Sequence, residues 1–220
     1  INPTSVDAGA NQFNIAAIGD LQFYISAGTL YFYDAIQNTG GGTVVINQWQ
    51  HIAVSRSGTS VTCYINGIEC ISTTSSVNFV SATTLIGTNA EFGGTRSWGY
   101  ISNFRIVKGI AVYTTDFTPS TTPLTSIQSA NVNGNPSAAI TGTETSLLLN
   151  TFNSSNNRLD SSSYNFLVTS PNTPVPDDLN PLLISEGSML FNGTSDYLTV
   201  ASDPILAFDT EDYTVEFWIY

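Results

Sequence analysis

The chain has 220 residues, of which 10% are charged, and 17 acidic against five basic residues give it a formal net charge of −12. This length holds one large all-β domain or two small ones, with a substantial core in either case. The acidic balance argues against nucleic acid and anionic membranes as partners, and no apolar run of about 18 residues is present to span a bilayer. A composition low in lysine and rich in hydroxyl groups leads us to expect an extracellular protein.

Short alternating runs separated by Gly, Asn, Asp and Ser predict an all-β protein, because helical periodicity is almost absent. The first clear hairpin turns at residues 27–28, which places Ile25 opposite Leu30 and Phe23 opposite Phe32. Further strands are predicted over residues 44–46, 49–56, 84–86, 99–107, 147–149, 164–168, 189–191 and 197–200.

Two cysteines flank the hairpin VTCYINGIECIS, whose turn at residues 66–67 suits a two-residue type I′ connection. In that register Cys63 faces Cys70 as a hydrogen-bonded pair, with Cα atoms about 5.5 Å apart. The sequence therefore permits a cross-strand disulfide, and two small buried thiols are the alternative.

The last eight residues alternate like a half-buried strand, with Tyr213, Val215, Phe217 and Ile219 on one face. No later segment follows to pair with them, and an unpaired strand of this composition is an aggregation template. When the first residues are written after residue 220, they continue this strand into a loop. The pattern therefore predicts that the two ends of the chain are adjacent, as if the 220 residues were one period of a longer object. We expect this assembly strand to pair with another segment, either of the same chain or of a neighbour.

The stretch WQHIAVSRSGTSVTCYINGIECIS, followed by GYISNFRIVKGIAVYTTDFTPSTTPLT, resembles laminin-G-like domains of the concanavalin A-like lectin/glucanase superfamily. It is most similar to repeats of phage structural proteins and bacterial surface proteins. SMLFNGTSDYLTVASDPILAFDTEDYTVEFWIY resembles the opening strands of the same domain, so the segment order looks circularly permuted.

This resemblance implies an antiparallel jelly-roll β-sandwich. Residues 1–118 would supply its C-terminal part and residues 145–220 its N-terminal part, either as one permuted domain or as the next domain in a tandem array. The intervening Pro-, Ser- and Thr-rich residues 119–144 are predicted to be a linker or long loop. The sandwich is completed within the chain or by strands of a neighbouring unit.

The permuted order predicts a non-enzymatic structural subunit or repeat of an extracellular fibre, surface appendage or phage tail. Its partners would be copies of itself, joined head to tail by strand complementation or tandem continuation. The alternative is a carbohydrate-binding adhesion module for surface glycans, with or without calcium. Hydrolases of the superfamily alternate two catalytic glutamates on one strand, and no such strand is visible. The only histidine, His51, is expected to be a structural strand residue.

Calcium takes about six to eight oxygen ligands. The candidate loop carboxylates are Asp196, Asp203 and Asp209, but their spacing matches no calcium motif, so turn capping is the alternative and no cofactor is expected. Trp98 is the candidate for stacking on a sugar, and packing beside a core strand is the alternative reading of its position.

Two asparagines, Asn153 and Asn192, fit the N-glycosylation rule, whereas proline blocks Asn2 and Asn135. The Ser-, Thr- and Pro-rich residues 118–125 are suited to O-linked sugar. Bare polar loops are the alternative at all of these positions.

Overall fold

The computed structural model describes residues 13–88, 97–132, 135–150, 158–170, 172, 174–182 and 187–220. The strands are β1 (Phe13–Ile18), β2 (Leu21–Ser26), β3 (Thr29–Tyr33), β4 (Asn38–Thr43), β5 (Gln50–Ser57), β6 (Ser60–Ile65), β7 (Ile68–Thr74), β8 (Thr84–Ile86), β9 (Trp98–Lys108), β10 (Thr145–Leu149), β11 (Val168–Thr169), β12 (Val175–Asp177), β13 (Ser188–Asn192), β14 (Leu198–Val200) and β15 (Tyr213–Ile219). A single turn of 3-10 helix, Pro204–Leu206, precedes β15. No helix in the described ranges is long and apolar enough to cross a membrane.

The strands form two antiparallel sheets that stack as a jelly-roll sandwich, which confirms the predicted all-β fold. The first sheet has the order β11-β14-β8-β1-β2-β3-β4. The second has the order β12-β13-β9-β15-β5-β6-β7, and β10 also pairs with β9. Both sheets therefore mix strands from the early and late parts of the sequence.

One main core lies between the sheets, and both parts of the chain contribute to it. Among its buried side chains are Ile18, Phe23, Phe32, Ile52, Val54, Phe104, Ile106, Leu147, Met189, Phe191, Val215 and Phe217. The rings of Phe104 and Phe217 stack with centroids 5.5 Å apart. Burying one such side chain contributes about 1.5–3 kcal/mol relative to leaving it exposed, so residues 145–220 are integral to the sandwich that residues 13–108 begin.

Strand β15 is central in the second sheet and is paired on both sides within its own chain. All seven of its residues pair with β5, and the ladder on its other side joins it to β9 from Tyr213 to Ile219. Its alternate residues Tyr213, Val215, Phe217 and Ile219 point into the core. The strand that lacks a visible partner in the sequence thus has no free edge in the structure.

The hairpin register at residues 23–32 is confirmed, since Phe23 pairs with Phe32 and Ile25 with Leu30. The strand predicted over residues 44–46 is wrong, and the strand predicted over residues 164–168 is shortened. Residues 44–46 form a loop, because the Gln50 side chain bonds the backbone N–H and carbonyl of Val45 at 3.2 and 2.7 Å. These two side-chain hydrogen bonds take the place of those that a neighbouring strand would make to Val45.

The strand predicted over 164–168 is reduced to β11, because a side chain takes the backbone donors that a ladder would use. The Asp160 carboxylate accepts the N–H groups of Ser162 and Phe166 at 2.9 and 2.8 Å. Strand β12, within the Pro-rich segment, was not predicted. It lies at the edge of the second sheet, where a strand proline is tolerated.

The predicted pairing of Cys63 with Cys70 is wrong. A β-bulge between Cys63 and Tyr64 places Cys63 opposite Ile71, so Cys70 becomes the extra residue of β7. Both cysteines are free thiols in the structure, and the Cys70 thiol contacts the Cys63 carbonyl at 3.3 Å. Burial raises the pKa of Cys70 to about 11, which makes it a poor nucleophile at neutral pH.

Candidate functional site on the outer face of the second sheet

The side chains of β5, β9 and β15 that point away from the core form a polar patch on the outer face of the second sheet. His51 and Ser55 come from β5, Arg105 from β9, and Thr214 and Glu216 from β15. All five are buried, although an outward strand position normally meets solvent. Another part of the chain must therefore cover them.

The cover is the segment between β9 and β10, residues 109–144, which we call the strap. Its buried side chains Val112, Tyr113, Phe117 and Ile140 form a second apolar cluster with residues of the sheet. The strap is fixed at the β6–β7 turn, where the Phe117 N–H donates to the Gly67 carbonyl at 2.8 Å. A Cβ at Gly67 would lie 1.8 Å from the Phe117 carbonyl oxygen, so this contact requires glycine.

The part of the strap predicted to be a linker or long loop, residues 119–144, packs directly on the sheet. Its described residues form no strand, only an isolated bridge between Gln128 and Ile140. The Leu124 N–H donates to the Asn103 side chain at 3.1 Å. The backbone of this segment forms a long loop, and its side chains cover the outer face of the second sheet.

Beneath the strap, Glu216 accepts from three side chains. Arg105 Nε donates to its Oε1 at 2.8 Å, and the Arg105 Nη2 also contacts Oε1. Its Oε2 accepts the Tyr113 hydroxyl at 3.0 Å and lies 3.2 Å from His51 Nε2. Arg105 continues to the strap, donating to the Thr125 carbonyl at 2.8 Å. The network therefore links β5, β9 and β15 to the strap.

The electrostatics of this network favour the ionised form of Glu216 and the protonated form of Tyr113. Burial raises the pKa of Glu216, but the Arg105 guanidinium and the His51 hydrogen bond outweigh burial and lower that pKa to about 2. Burial and the Glu216 charge both raise the pKa of Tyr113 well above its ordinary value. A carboxylate that is ionised at neutral pH and whose oxygens are already hydrogen-bonded is suited to fastening the strap, not to proton transfer.

Glu216 gives a specific expectation for acid sensitivity. Because its pKa is lowered from 4.5 to about 2 on folding, its contribution is complete above the unfolded pKa and is lost as the pH falls through the folded one. The shift corresponds to about 3 kcal/mol. Urea unfolding between about pH 6 and about pH 3 should show about 2 kcal/mol of this loss in the natural chain but not in Glu216→Gln, with the remainder lost at lower pH. Parallel pH profiles for the two proteins would contradict it.

Farther along the same outer face lies a partly exposed line of apolar side chains, which we call the apolar row. It consists of Val175 on β12, Leu190 on β13, Tyr100 on β9, Tyr220 after β15 and Trp49 before β5. Val175 pairs with Leu190, and Leu190 pairs with Tyr100. Tyr220 exchanges backbone hydrogen bonds with Tyr100 at 3.1 and 3.2 Å. The row crosses five adjacent strands of the sheet.

Three aromatic rings form one end of the apolar row. The Tyr220 centroid lies 5.4 Å from Trp49 and 5.8 Å from Tyr100, and the Trp49 and Tyr100 centroids lie 6.4 Å apart. The rings are inclined at 54–79° to one another, so they form a stepped surface. At the other end of the row, Val175 is 54% exposed.

The structure does not bring the three candidate calcium ligands together. The Asp203 carboxylate caps the 3-10 helix by accepting the Ile205 N–H at 2.9 Å, and Asp196 contacts the Ser195 hydroxyl at 3.3 Å. Asp209 is exposed and lies 4.0 Å from Lys108 Nζ. In the part of the chain that the structure describes, no group of three or more His, Cys, Asp or Glu could hold a metal ion.

Trp98 and Asn192, candidates for sugar stacking and glycosylation, are direct neighbours across β9 and β13. Trp98 is 38% exposed, and a Cβ at Gly193 would lie 2.9 Å from its Cβ. The exposed Asn192 side chain accepts the N–H groups of its own turn. Glycosylation here stays a prediction, and Asn153 lies outside the described residues.

The sequence predicted that His51 is a structural strand residue, and its buried position on β5 agrees with this prediction. Arg105, Glu216 and the apolar row were not predicted. Strand alternation placed Glu216 outward, and the apolar residues of the strap were the signal that this face is covered. Tyr100 and Tyr220 were also recognisable as outward-facing. Their adjacency required the strand order, which the sequence does not reveal.

The sandwich, with strands from both parts of the sequence in each sheet, defines a lectin-like class of β domain. The chain belongs to the concanavalin A-like lectin/glucanases superfamily, because a laminin-G-like family model with this description matches residues 2–111, half of the chain. Comparisons with curated proteins and with solved structures found no match. The family prediction is confirmed, and the match does not extend to the segment from residue 145 onward.

Proposed function

We propose that this chain is a non-catalytic subunit or repeat of an extracellular fibre, surface appendage or phage tail. The observation that carries the proposal is the position of β15, held between β5 and β9 by a hydrogen-bonded ladder on each side. A pull on this strand must break both ladders and the packing of its core face. Such a clamp suits a module that transmits tension between neighbouring units.

The structure also bears on how copies join. Because β15 is occupied on both edges by its own chain, we propose tandem or end-to-end contact instead of donation of β15 to a neighbour. Heterologous contacts of this kind extend without closing and produce filaments.

Light scattering and negative-stain electron microscopy of the purified chain, alone and as two tandem copies, test this proposal. We expect concentration-dependent end-to-end oligomers or filaments. Dispersed monomers at every concentration, together with binding to glycans, would refute the fibre proposal in favour of adhesion.

A second candidate function is a carbohydrate-binding adhesion module, and the apolar row favours it. Partly exposed aromatic side chains that combine an apolar ring with a hydroxyl, as Tyr100 and Tyr220 do, are suited to ligands that are apolar on one face and polar at the rim. A glycan array tests this function directly, and failure to bind any glycan would exclude it.

A further inference from the structure

We propose that the outer edge of β4 is a docking surface for a second copy of this chain, and that the two copies pair through it, antiparallel, about a two-fold axis. β4 (Asn38–Thr43) lies at one end of the first sheet, and no strand in the described ranges pairs with its outer side. This inference goes beyond the fibre proposal and does not depend on it, because it concerns a sheet edge and not the ends of the chain.

The backbone of β4 presents hydrogen-bonding groups along this edge. The Asp34 N–H donates to the Gln37 carbonyl at 3.3 Å, so these residues form a hydrogen-bonded pair at the β3–β4 turn. Hydrogen-bonded and non-hydrogen-bonded pairs alternate along an antiparallel ladder, so Asn38 and Gly40 direct their backbone N–H and C=O groups away from β3. Both residues are exposed, and within the described ranges no side chain bonds to these outward groups.

The other sheet edges are protected against an added strand, whereas β4 is not. Strand edges attract other chains unless they are short, charged, interrupted by proline or covered. β11 has only two residues, and the middle residue of the three-residue β12 is Pro176. On β7, the Gln37 side chain donates to the Thr74 carbonyl at 2.6 Å, and the Asp116 carboxylate accepts the Glu69 N–H at 2.9 Å. β4 therefore remains the edge at which a strand can add.

The sequence around β4 suits contact with an identical edge. Between Asp34 and Arg56 the chain has no Asp, Glu, Lys, Arg or Pro, although its net charge is −12. Asp34 itself is buried, and its carboxylate accepts the backbone N–H groups of Ile36 and Gln37 at 3.2 and 2.9 Å. Two copies can therefore meet along β4 without placing like charges against each other, which most of so acidic a surface would do.

Antiparallel pairing about an axis at Thr39 satisfies the outward groups. Asn38 of one copy then lies opposite Gly40 of the other, and each such pair exchanges both of its N–H···O bonds. Thr39 faces Thr39 across the axis as a non-hydrogen-bonded pair, with Cα atoms about 4.5 Å apart. The same register places Ile36 of each copy beside Gly42 of the other, which covers an isoleucine that is 79% exposed in the single chain.

The size of this contact sets its strength. One added strand and one isoleucine on each side bury less than the about 800 Å² per partner of a stable interface. We therefore expect a weak, reversible dimer. Because the two-fold axis uses the same edge on both copies, the association stops at two.

Sedimentation velocity over a concentration series tests the contact, using the natural chain, Thr39→Lys, Thr39→Glu and an equimolar mixture of the two variants. We expect a monomer–dimer equilibrium for the natural chain. Each variant alone should dimerise about tenfold more weakly, because like charges then face each other across the axis. The mixture should restore dimers, because lysine then faces glutamate. A folding defect at residue 39 would not be rescued by mixing.

Ser72→Lys is the matched control, because it adds the same charge at an exposed position of β7, the edge strand of the second sheet. It should dimerise like the natural chain, and mixing it with Thr39→Glu should not restore the dimers that Thr39→Glu loses. Thermal unfolding of each variant checks that the fold persists.

Monomers at every concentration up to the solubility limit, or dimers that Thr39→Lys leaves unchanged, would overturn the proposal. Loss of dimers in Ser72→Lys instead of Thr39→Lys would assign the contact to β7. The fibre proposal fails or stands separately. End-to-end filaments that persist in Thr39→Lys support it, whereas the β4 contact requires that variant to separate filaments lying side by side in pairs.

Discussion

Glu216→Ala is expected to lower the free energy of unfolding by about 3–5 kcal/mol, the cost of removing one partner of a buried ion pair. The substitution leaves the Arg105 guanidinium buried without its carboxylate and removes the acceptor of the Tyr113 hydroxyl. It also removes one link between the strap and β15, while the Val112 N–H still donates to the Thr214 hydroxyl at 2.8 Å. Urea unfolding at neutral pH, followed by circular dichroism, measures the loss.

Glu211→Ala is the matched control, because that exposed side chain precedes the same strand. It should change stability by no more than about 0.5 kcal/mol. Arg105→Met combined with Glu216→Leu should cost less than the sum of the two single changes, since replacing both charges leaves neither unpaired. A loss below about 1 kcal/mol for Glu216→Ala would mean that water enters beneath the strap and solvates the network.

Arg56→Met is expected to cost a similar amount, about 3–5 kcal/mol. The Arg56 guanidinium is buried, and within the described part of the chain it forms no ion pair with a carboxylate. It donates to the carbonyls of Val77, Asp209 and Glu211 at 2.6–3.1 Å. It also lies 5.2 Å from the Tyr213 ring centroid. Methionine keeps the apolar stem but removes the guanidinium donor from three carbonyls, of which that of Asp209 still accepts the Phe79 N–H.

Lys108→Met is the control for Arg56→Met, because it removes a basic group that makes a surface ion pair 4.0 Å long. Its effect should stay within about 1 kcal/mol. Thermal melts of both variants test the difference. Equal losses would show that the carbonyl cage around Arg56 contributes little beyond its apolar packing.

Local rules predicted the parts of the fold in which neighbouring residues decide the outcome. The pairing of Phe23 with Phe32 followed from a two-residue turn, since such a turn fixes the register of both strands. The cysteine hairpin failed under the same rule, because a bulge adds a residue to β7 and shifts Cys63 to Ile71. Nothing in the local sequence distinguishes these two hairpins.

The candidate site was less predictable because it depends on distant contacts. Alternation correctly gives the face on which Glu216 lies, but its burial depends on the strap, and its partner His51 is 165 residues away in sequence. The apolar row depends on the order of five strands. The candidate calcium ligands and Trp98 were predicted from local sequence alone, whereas the rings of Trp49, Tyr100 and Tyr220 come together only across neighbouring strands of a sheet.

The central place of β15 also has a consequence for how the chain folds. β5 and β9 cannot form their final sheet until β15 is made and inserted, so contacts of high sequence separation must form in the rate-limiting step, and folding should be slow. On the ribosome, the roughly one hundred residues between β9 and β15 take about 5–20 s to synthesise. During that interval two apolar strands present open edges, which makes this the period in which aggregation or capture by a chaperone competes with the native fold.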